Sequence, residues 1–164
     1  MSTEEKFKEL IIKRNTTPFL FIGSGLSRRY LDLPDWKGLL KHFSKNTKPF
    51  EYFLSKTEGN MPKAAKLLAK EYHKYWWAQN TPDNLTKEKY DAMTSISIPL
   101  KIDIANYLQG IDIESKIANS NKDEISDLRK ANIGGIITTN WDMLLELIFP
   151  DYKTYIGQDE LILE

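Results

Sequence analysis

The chain has 164 residues, enough for one domain with a substantial core but short for two. Its 23 basic and 23 acidic residues cancel, so it lacks the positive surplus that sequence-independent nucleic-acid binding requires. It has no cysteine, which excludes disulfides, cysteine nucleophiles and thiolate zinc sites. The N-terminus is polar and acidic, and every apolar run is too short for a membrane span, so we expect a cytoplasmic protein.

The N-terminal part of the chain predicts a helix followed by a short strand. Ser2 and Glu5 have the spacing of a capping box, which predicts a helix from about Thr3 to Lys13. The segment from Thr16 to Pro18 ends this helix. The apolar run from Phe19 to Ile22 then predicts a strand that is buried on both faces, as in a parallel sheet with helices above and below.

The middle of the chain is predicted to be helical. Asp35 can cap a helix that carries Leu39, Leu40 and Phe43. Asn60 precedes an apolar stripe that runs from Met61 to Trp76. Later helices are predicted to begin near three residues: Thr86, ahead of Tyr90 and Met93; Pro99; and Asn121, with Ile125 and Leu128 on the buried side. Together these helices form an insert over roughly residues 37 to 131.

The C-terminal part returns to strands. A β-branched run from Ile136 to Thr139 predicts a second strand, and a helix from Asp142 to Phe149 follows it. Two further short strands are predicted, over Tyr152–Ile156 and Leu161–Leu163. This order predicts an α/β fold with an open, mostly parallel, Rossmann-like sheet, helices on both faces and a helical insert. Four strands are few for such a sheet, so we expect an incomplete, N-terminal portion of a longer domain.

Polar and glycine residues stand where both main strands end, which is where open parallel sheets bind ligands. In the glycine turn, residues 23–27, glycines let backbone N–H groups approach a diphosphate, and the Ser27 hydroxyl adds a donor. Asn140 and Asp142 supply an amide and a carboxylate at the other strand end. Neither feature is specific alone, since glycines serve ordinary turns and Asn140 and Asp142 are also frequent helix caps.

Two common nucleotide-binding classes are disfavoured. Arg28 occupies the place of the third glycine of the dinucleotide fingerprint, and no acidic residue ends a second strand about 20 residues later. A Walker A loop is absent, because no glycine is followed by Gly-Lys-Ser/Thr at the required spacing. These observations argue against a typical dehydrogenase and against a P-loop nucleoside triphosphatase.

Three segments taken together resemble one family. The segments GSGLS at 23–27, LPDWKGLL at 33–40 and TTNWD at 138–142 are similar to those of the sirtuin-like NAD-binding domain. The resemblance is greatest to the bacterial antiphage branch, whose members hydrolyse NAD rather than deacetylate proteins. Deacetylase sirtuins carry a structural zinc on four cysteines, so the absence of cysteine favours the hydrolase branch and implies no metal.

The resemblance also implies residue roles. Four residues match the turn that binds the NAD diphosphate: Gly23, Ser24, Gly25 and Ser27. Asn140 matches the catalytic asparagine beside the nicotinamide ribose, and Asp142 matches the aspartate that holds the carboxamide. Asp35 and Trp36 fall where the family closes a flexible loop over NAD. The family's catalytic histidine lies in a later His-Gly motif that neither His42 nor His73 matches, so this chain alone is expected to turn NAD over poorly.

The leading hypothesis is therefore an NAD glycohydrolase that depletes NAD in bacterial antiphage defence. The expected partners are NAD, other copies of the same chain, further C-terminal domains and a phage-derived trigger, without a membrane. Two alternatives stay open. One is a non-catalytic module that binds NAD or ADP-ribose as a sensor, and the other is a structural interaction domain in which Gly23 and Gly25 are only turn residues.

Overall fold

The computed structural model describes residues 1–14, 17–79, 91, 93–120 and 122–157. The helix starts predicted at Thr86 and Asn121 and the strand predicted over Leu161–Leu163 lie outside these residues. The chain divides into two compact units. The strand unit comprises Met1–Asp32 and Asp112–Glu164, and the helical unit comprises Leu33–Ile111. The predicted insert of residues 37 to 131 is thus longer than the helical unit, which ends at Ile111.

The protein is a mixed α/β protein, as predicted. The strand unit contains α1 (Thr3–Arg14), β1 (Phe19–Ile22), α2 (Ser24–Leu31), α7 (Ile113–Ala118), α8 (Lys122–Lys130), β2 (Gly135–Thr138) and α9 (Leu144–Ile148). The helical unit contains α3 (Trp36–Ser44), α4 (Phe50–Lys56), α5 (Met61–Gln79) and α6 (Ile98–Gln109). None of the helices in the described ranges has the length and apolar composition that crossing a membrane requires.

The predicted capping box at the start of α1 is confirmed. The Ser2 backbone N–H donates to Glu5 Oε2 over 2.6 Å, and the Glu5 N–H donates to Ser2 Oγ over 3.1 Å. The two residues thereby satisfy backbone groups that the first turn of a helix leaves without intrahelical partners. The helix buries none of its residues, and Phe7, Leu10 and Ile12 are exposed.

The two strands pair in parallel, and their register positions the candidate site. Phe19 is opposite Gly135 and Ile22 is opposite Thr138, so both strands end at the same edge of the sheet. The glycine turn leaves β1 at this edge, and the segment that carries Asn140 leaves β2 beside it. Backbone pairing by itself therefore brings together two segments that are far apart along the chain.

The prediction that β1 is buried on both faces is wrong. Phe19 and Phe21 are 63% and 74% exposed, whereas Leu20 and Ile22 are half-buried. Alternate residues of a strand point to opposite faces, and the described residues cover only one face of this sheet. An apolar run cannot distinguish a strand with two covered faces from a strand with one, because its composition is the same in both cases.

The strand predicted over Tyr152–Ile156 does not form. The Tyr152 N–H donates to the Phe149 carbonyl over 3.1 Å, and the Tyr152 hydroxyl donates to the Ile133 carbonyl over 2.9 Å. These bonds hold the segment in a turn after α9 and use Tyr152 as an anchor rather than as part of a ladder. The sheet of the described residues has two strands, β1 and β2, and an open sheet of four is not observed.

The helical unit follows the predicted amphipathic pattern. Ala64, Leu68, Tyr72 and Trp76 of α5 are all buried, as the spacing of the apolar stripe predicts. They pack with residues of the neighbouring helices, including Phe43, Phe50, Phe53, Leu100 and Ile104. Asn60 caps α5 by accepting the Lys63 N–H over 3.0 Å.

A hydrogen bond between two helices crosses the edge of this core. The Tyr72 hydroxyl on α5 donates to Asp103 Oδ2 on α6 over 2.6 Å. Burial, reinforced by this carboxylate, raises the pKa of Tyr72 well above its ordinary value. The folded helical unit therefore favours the protonated phenol.

Tyr72→Phe should lower the free energy of unfolding by about 1–3 kcal/mol, because it leaves Asp103 without a charge-assisted hydrogen bond. This decrease in the free energy of unfolding should have its full size below pH 10.0 and become smaller above it. The phenol of Tyr72 then loses its proton readily in the unfolded chain but not in the folded protein. Chemical denaturation of both proteins between pH 7 and pH 11 measures this difference. The matched control is Tyr75→Phe, because the Tyr75 hydroxyl makes no hydrogen bond within the part of the chain that the structure describes. Equal losses for the two variants would contradict the assignment.

Candidate site at the ends of the two strands

The two turns at the strand ends are joined by the Asn140 side chain. Its amide nitrogen Nδ2 donates to the Gly23 carbonyl over 3.0 Å and to Ser27 Oγ over 2.8 Å. These partners lie 117 and 113 residues away along the chain. The glycine turn and Asn140, which the sequence places at the ends of the two main strands, are thus in direct contact.

Ser27 extends this contact to Asp142. The Ser27 hydroxyl donates to Asp142 Oδ2 over 2.6 Å, which is short and typical of a hydrogen bond to a carboxylate. Ser27 is only 4% exposed, whereas Asn140 and Asp142 are partly accessible. We refer to Ser27, Asn140 and Asp142 as the polar cluster.

Local hydrogen bonds hold the turn between β2 and α9. The Asn140 N–H donates to Thr138 Oγ1 over 3.0 Å, and the Leu144 N–H donates to Asp142 Oδ1 over 3.2 Å. Asp142 therefore supports the start of α9 with one carboxylate oxygen and binds Ser27 with the other. Asp142 can therefore act as a helix cap and as a partner of Ser27 at the same time, since each oxygen has a different partner. Trp141 and Met143, the two neighbours of Asp142 in the chain, are each more than half exposed.

The glycine turn leaves open space above its backbone. Gly23 is the N-cap of α2, with φ of −108° and ψ of −170°, and no side chain caps the helix there. A Cβ atom built on Gly23 or on Gly25 would have no neighbour within 4 Å. Ser24 and Gly25 are exposed. The first N–H groups of a helix lack intrahelical acceptors and carry partial positive charge, so this open turn suits an anionic group of a ligand.

Two ion pairs join α2 to other helices of the strand unit. Arg29 Nη2 lies 2.6 Å from Glu124 Oε2 of α8, and Lys116 Nζ of α7 lies 2.9 Å from Asp32 Oδ2 at the end of α2. Burial and the nearby Glu124 carboxylate raise the pKa of Tyr30, which is buried on the same helix. Exposed ion pairs contribute little free energy each, so these pairs link α2 to its neighbouring helices without adding much stability.

Arg129 supports the other side of the turn, and sequence reasoning missed it. Its guanidinium donates from Nε to the Ile148 carbonyl and from Nη2 to the Leu147 carbonyl, both over 3.1 Å. A cation at a helix C-terminus satisfies carbonyls that have no intrahelical partner. Arg129 lies in the last turn of α8, and no signal in the sequence points from there to α9.

The other residues singled out by the sequence belong to the helical unit. Asp35 is the N-cap of α3, since its Oδ1 accepts the Gly38 N–H over 2.8 Å, and Trp36 begins that helix and is half exposed. The His42 ring packs against Phe43 and Tyr107. His73 Nε2 accepts a hydrogen bond from Trp77 Nε1 over 3.0 Å. Both histidines thus have structural contacts, and the loop role of Asp35 and Trp36 stays a prediction.

Acidic and histidine side chains do not gather into a metal site in the part of the chain described. No group of three or more such residues lies close enough together there to hold an ion. Both carboxylate oxygens of Asp142 already accept hydrogen bonds, one from the Ser27 hydroxyl and one from the Leu144 N–H.

No family model, curated protein or solved structure matches the chain.

Gly25→Ala should leave stability unchanged or raise it by up to about 1 kcal/mol, because the new Cβ enters open space and alanine favours a helix. The control is Gly38→Ala, also in a helix, where the Cβ would lie 2.8 Å from Pro34 Cβ. That variant should melt at a lower temperature than the parent protein. Thermal unfolding followed by circular dichroism measures both, and a comparable decrease for Gly25→Ala would show that the space above the turn is not open.

Proposed function

We propose that the site binds NAD and serves a sirtuin-like NAD glycohydrolase, which cleaves the bond between nicotinamide and ribose. The observation that carries the proposal is the contact of Asn140 with Gly23 and Ser27. This contact brings a glycine turn, an amide and a carboxylate together at one edge of the sheet, a combination that suits a dinucleotide. The proposal includes a larger Rossmann-like sheet and a cytoplasmic location.

The glycine turn would hold the diphosphate of NAD. Its glycines have no side chains to block the approach of phosphate oxygens, and the N-cap residue Gly23 offers no side chain to the first N–H groups of α2. Ser24 is exposed in the same turn and can add a hydroxyl donor. Ser27 differs from it, because its proton is already directed to Asp142 and its side chain is buried.

Asn140 and Asp142 would act at the nicotinamide ribose. Cleavage passes through a transition state that resembles an oxocarbenium ion, and neutral nicotinamide departs. Water then attacks the same ribose carbon, which gives ADP-ribose and releases one proton. Asn140 would orient a ribose hydroxyl or the attacking water, and Asp142 would hold the carboxamide through lone pairs that Ser27 and Leu144 leave unused.

A general base would raise the rate by about 10²–10⁴-fold. Both histidines of the chain belong to the helical unit and have structural contacts there. We therefore propose that this chain binds NAD and hydrolyses it slowly. Full activity, in antiphage defence, would depend on other copies of the chain, further domains and a phage-derived trigger.

One observation favours the sensor alternative. The polar groups of the cluster bind one another, and the one hydroxyl among them, that of Ser27, is buried and donates to Asp142. A module that binds NAD or ADP-ribose without cleaving it would have the same geometry. Binding with no loss of nicotinamide over long incubation would decide for the sensor.

Gly25→Ala should weaken NAD binding at least about tenfold while its fold is retained, because the added methyl group occupies the space that the diphosphate needs. Isothermal titration calorimetry with NAD on the full chain measures the dissociation constants. Unchanged affinity in a folded Gly25→Ala protein would mean that the diphosphate does not bind at this turn.

Asn140→Ala should abolish the release of nicotinamide from NAD, since it removes the side chain proposed to contact the ribose or the water. Chromatography of the reaction mixture over hours measures the release. The matched control is Asn132→Ala, which alters an exposed asparagine outside the site. Melting temperatures of both variants show whether either has lost its fold, and wild-type turnover in Asn140→Ala would refute the assignment.

A further inference from the structure

The hydrogen bonds of the polar cluster have only one consistent direction. Asp142 accepts from the Leu144 N–H and from the Ser27 hydroxyl, so the single proton of Ser27 is committed to the carboxylate. Ser27 Oγ can then only accept from Asn140. The group that Asn140 turns towards Ser27 must be its NH₂ group.

A second contact requires the same orientation. The other amide proton of Asn140 is donated to the Gly23 carbonyl over 3.0 Å. Rotating the amide by half a turn would place Asn140 Oδ1 against this carbonyl oxygen and against a hydroxyl that has no proton to offer. Two acceptors would then face each other in each contact, which costs the free energy of both hydrogen bonds.

We infer that Ser27 is a positioning residue that sets the polarity of the site by holding Asn140 with its carbonyl oxygen available to the ligand. Both protons of the Asn140 amide are used inside the protein, so Oδ1 is the atom that remains for a ligand. Towards a ligand, Asn140 can therefore accept a hydrogen bond but has no amide proton left to donate. It selects a ligand group with a proton, such as a sugar hydroxyl or a water molecule, and disfavours a phosphate oxygen.

The burial of Ser27 explains why a hydroxyl is needed there. At 4% exposure the residue has almost no access to solvent, so no bulk water can replace its bond to Asn140 or to Asp142. An alanine at this position would leave one Asn140 proton and one Asp142 oxygen without their partner. The assignment to NAD chemistry rests on the proposed function, whereas the orientation of Asn140 can be tested without any ligand.

The first test measures hydrogen exchange of the Asn140 side-chain amide by NMR, in the full chain labelled with ¹⁵N. The Asn140 signals are identified by their loss in Asn140→Ala. Both protons should exchange at least about tenfold more slowly than those of the exposed Asn132. In Ser27→Ala one of the two should lose its protection, and Ser27→Thr, which keeps a hydroxyl, should restore it.

A second variant covers the case in which Ser27→Ala fails to fold. Asp142→Asn keeps the size of the side chain but can offer N–H groups to Ser27 Oγ, which frees the Ser27 proton and weakens the acceptor that holds Asn140. One Asn140 proton should again exchange faster than in the parent protein. Exchange of both protons at the rate of Asn132 in the parent, or unchanged protection in both Ser27→Ala and Asp142→Asn, would overturn the inference.

Kinetics separates this inference from the proposed function. If NAD is hydrolysed, Ser27→Ala should lower kcat about 10–100-fold and change KM by no more than about threefold, because a misdirected Asn140 affects the transition state more than the ground state. Ser27→Thr should recover most of the rate. If the parent chain neither binds nor hydrolyses NAD, the proposed function fails, while slow exchange of the Asn140 amide would still support the positioning role of Ser27.

Discussion

The candidate site depends on the two hydrogen bonds that the Asn140 side-chain amide donates. One side-chain nitrogen donates to a backbone carbonyl of one turn and to a buried hydroxyl of the following helix, across more than a hundred residues of intervening chain. The parallel pairing of β1 and β2 makes this possible, since it brings the ends of both strands to one edge. Backbone pairing sets the coarse position of the two turns, and Asn140 sets their separation to within a hydrogen-bond length.

The supports around the polar cluster divide into two sets. Arg29 and Lys116 orient α2 through exposed ion pairs, and Arg129 caps the end of α9. Each of these contacts is individually weak or moderate, but each restricts one of the two elements that carry the cluster. Side chains that are held by hydrogen bonds within the protein have less conformational freedom to lose when a ligand binds.

One face of the two-stranded sheet carries exposed apolar side chains. Phe19, Phe21 and Ile137 leave more than half of their surface accessible on this face. Apolar side chains of this size are usually covered in α/β proteins by helices on both faces of the sheet. The same edge that presents the polar cluster therefore belongs to a sheet that the described residues cover on one face only.

The sequence determined much of the local structure, because local signals carry enough information for it. The capping box at Ser2, the cap at Asp35 and the apolar stripe of α5 depend on residues three or four positions apart and were predicted correctly. Local signals also predicted the second strand to within one residue of its observed start. The strand predicted at Tyr152 was wrong because that residue's partners, Phe149 and Ile133, are not encoded in the run itself.

The tertiary structure alone decided how the site is wired. The sequence identified Ser27, Asn140 and Asp142 as candidates, but it could not show that Ser27 is buried between the other two or that its proton goes to Asp142. Nor did it indicate the contact of Arg129 with α9. Hydrogen-bond direction and long-range pairing depend on which atoms come within about 3 Å after the chain has folded, and no spacing along the sequence records that distance.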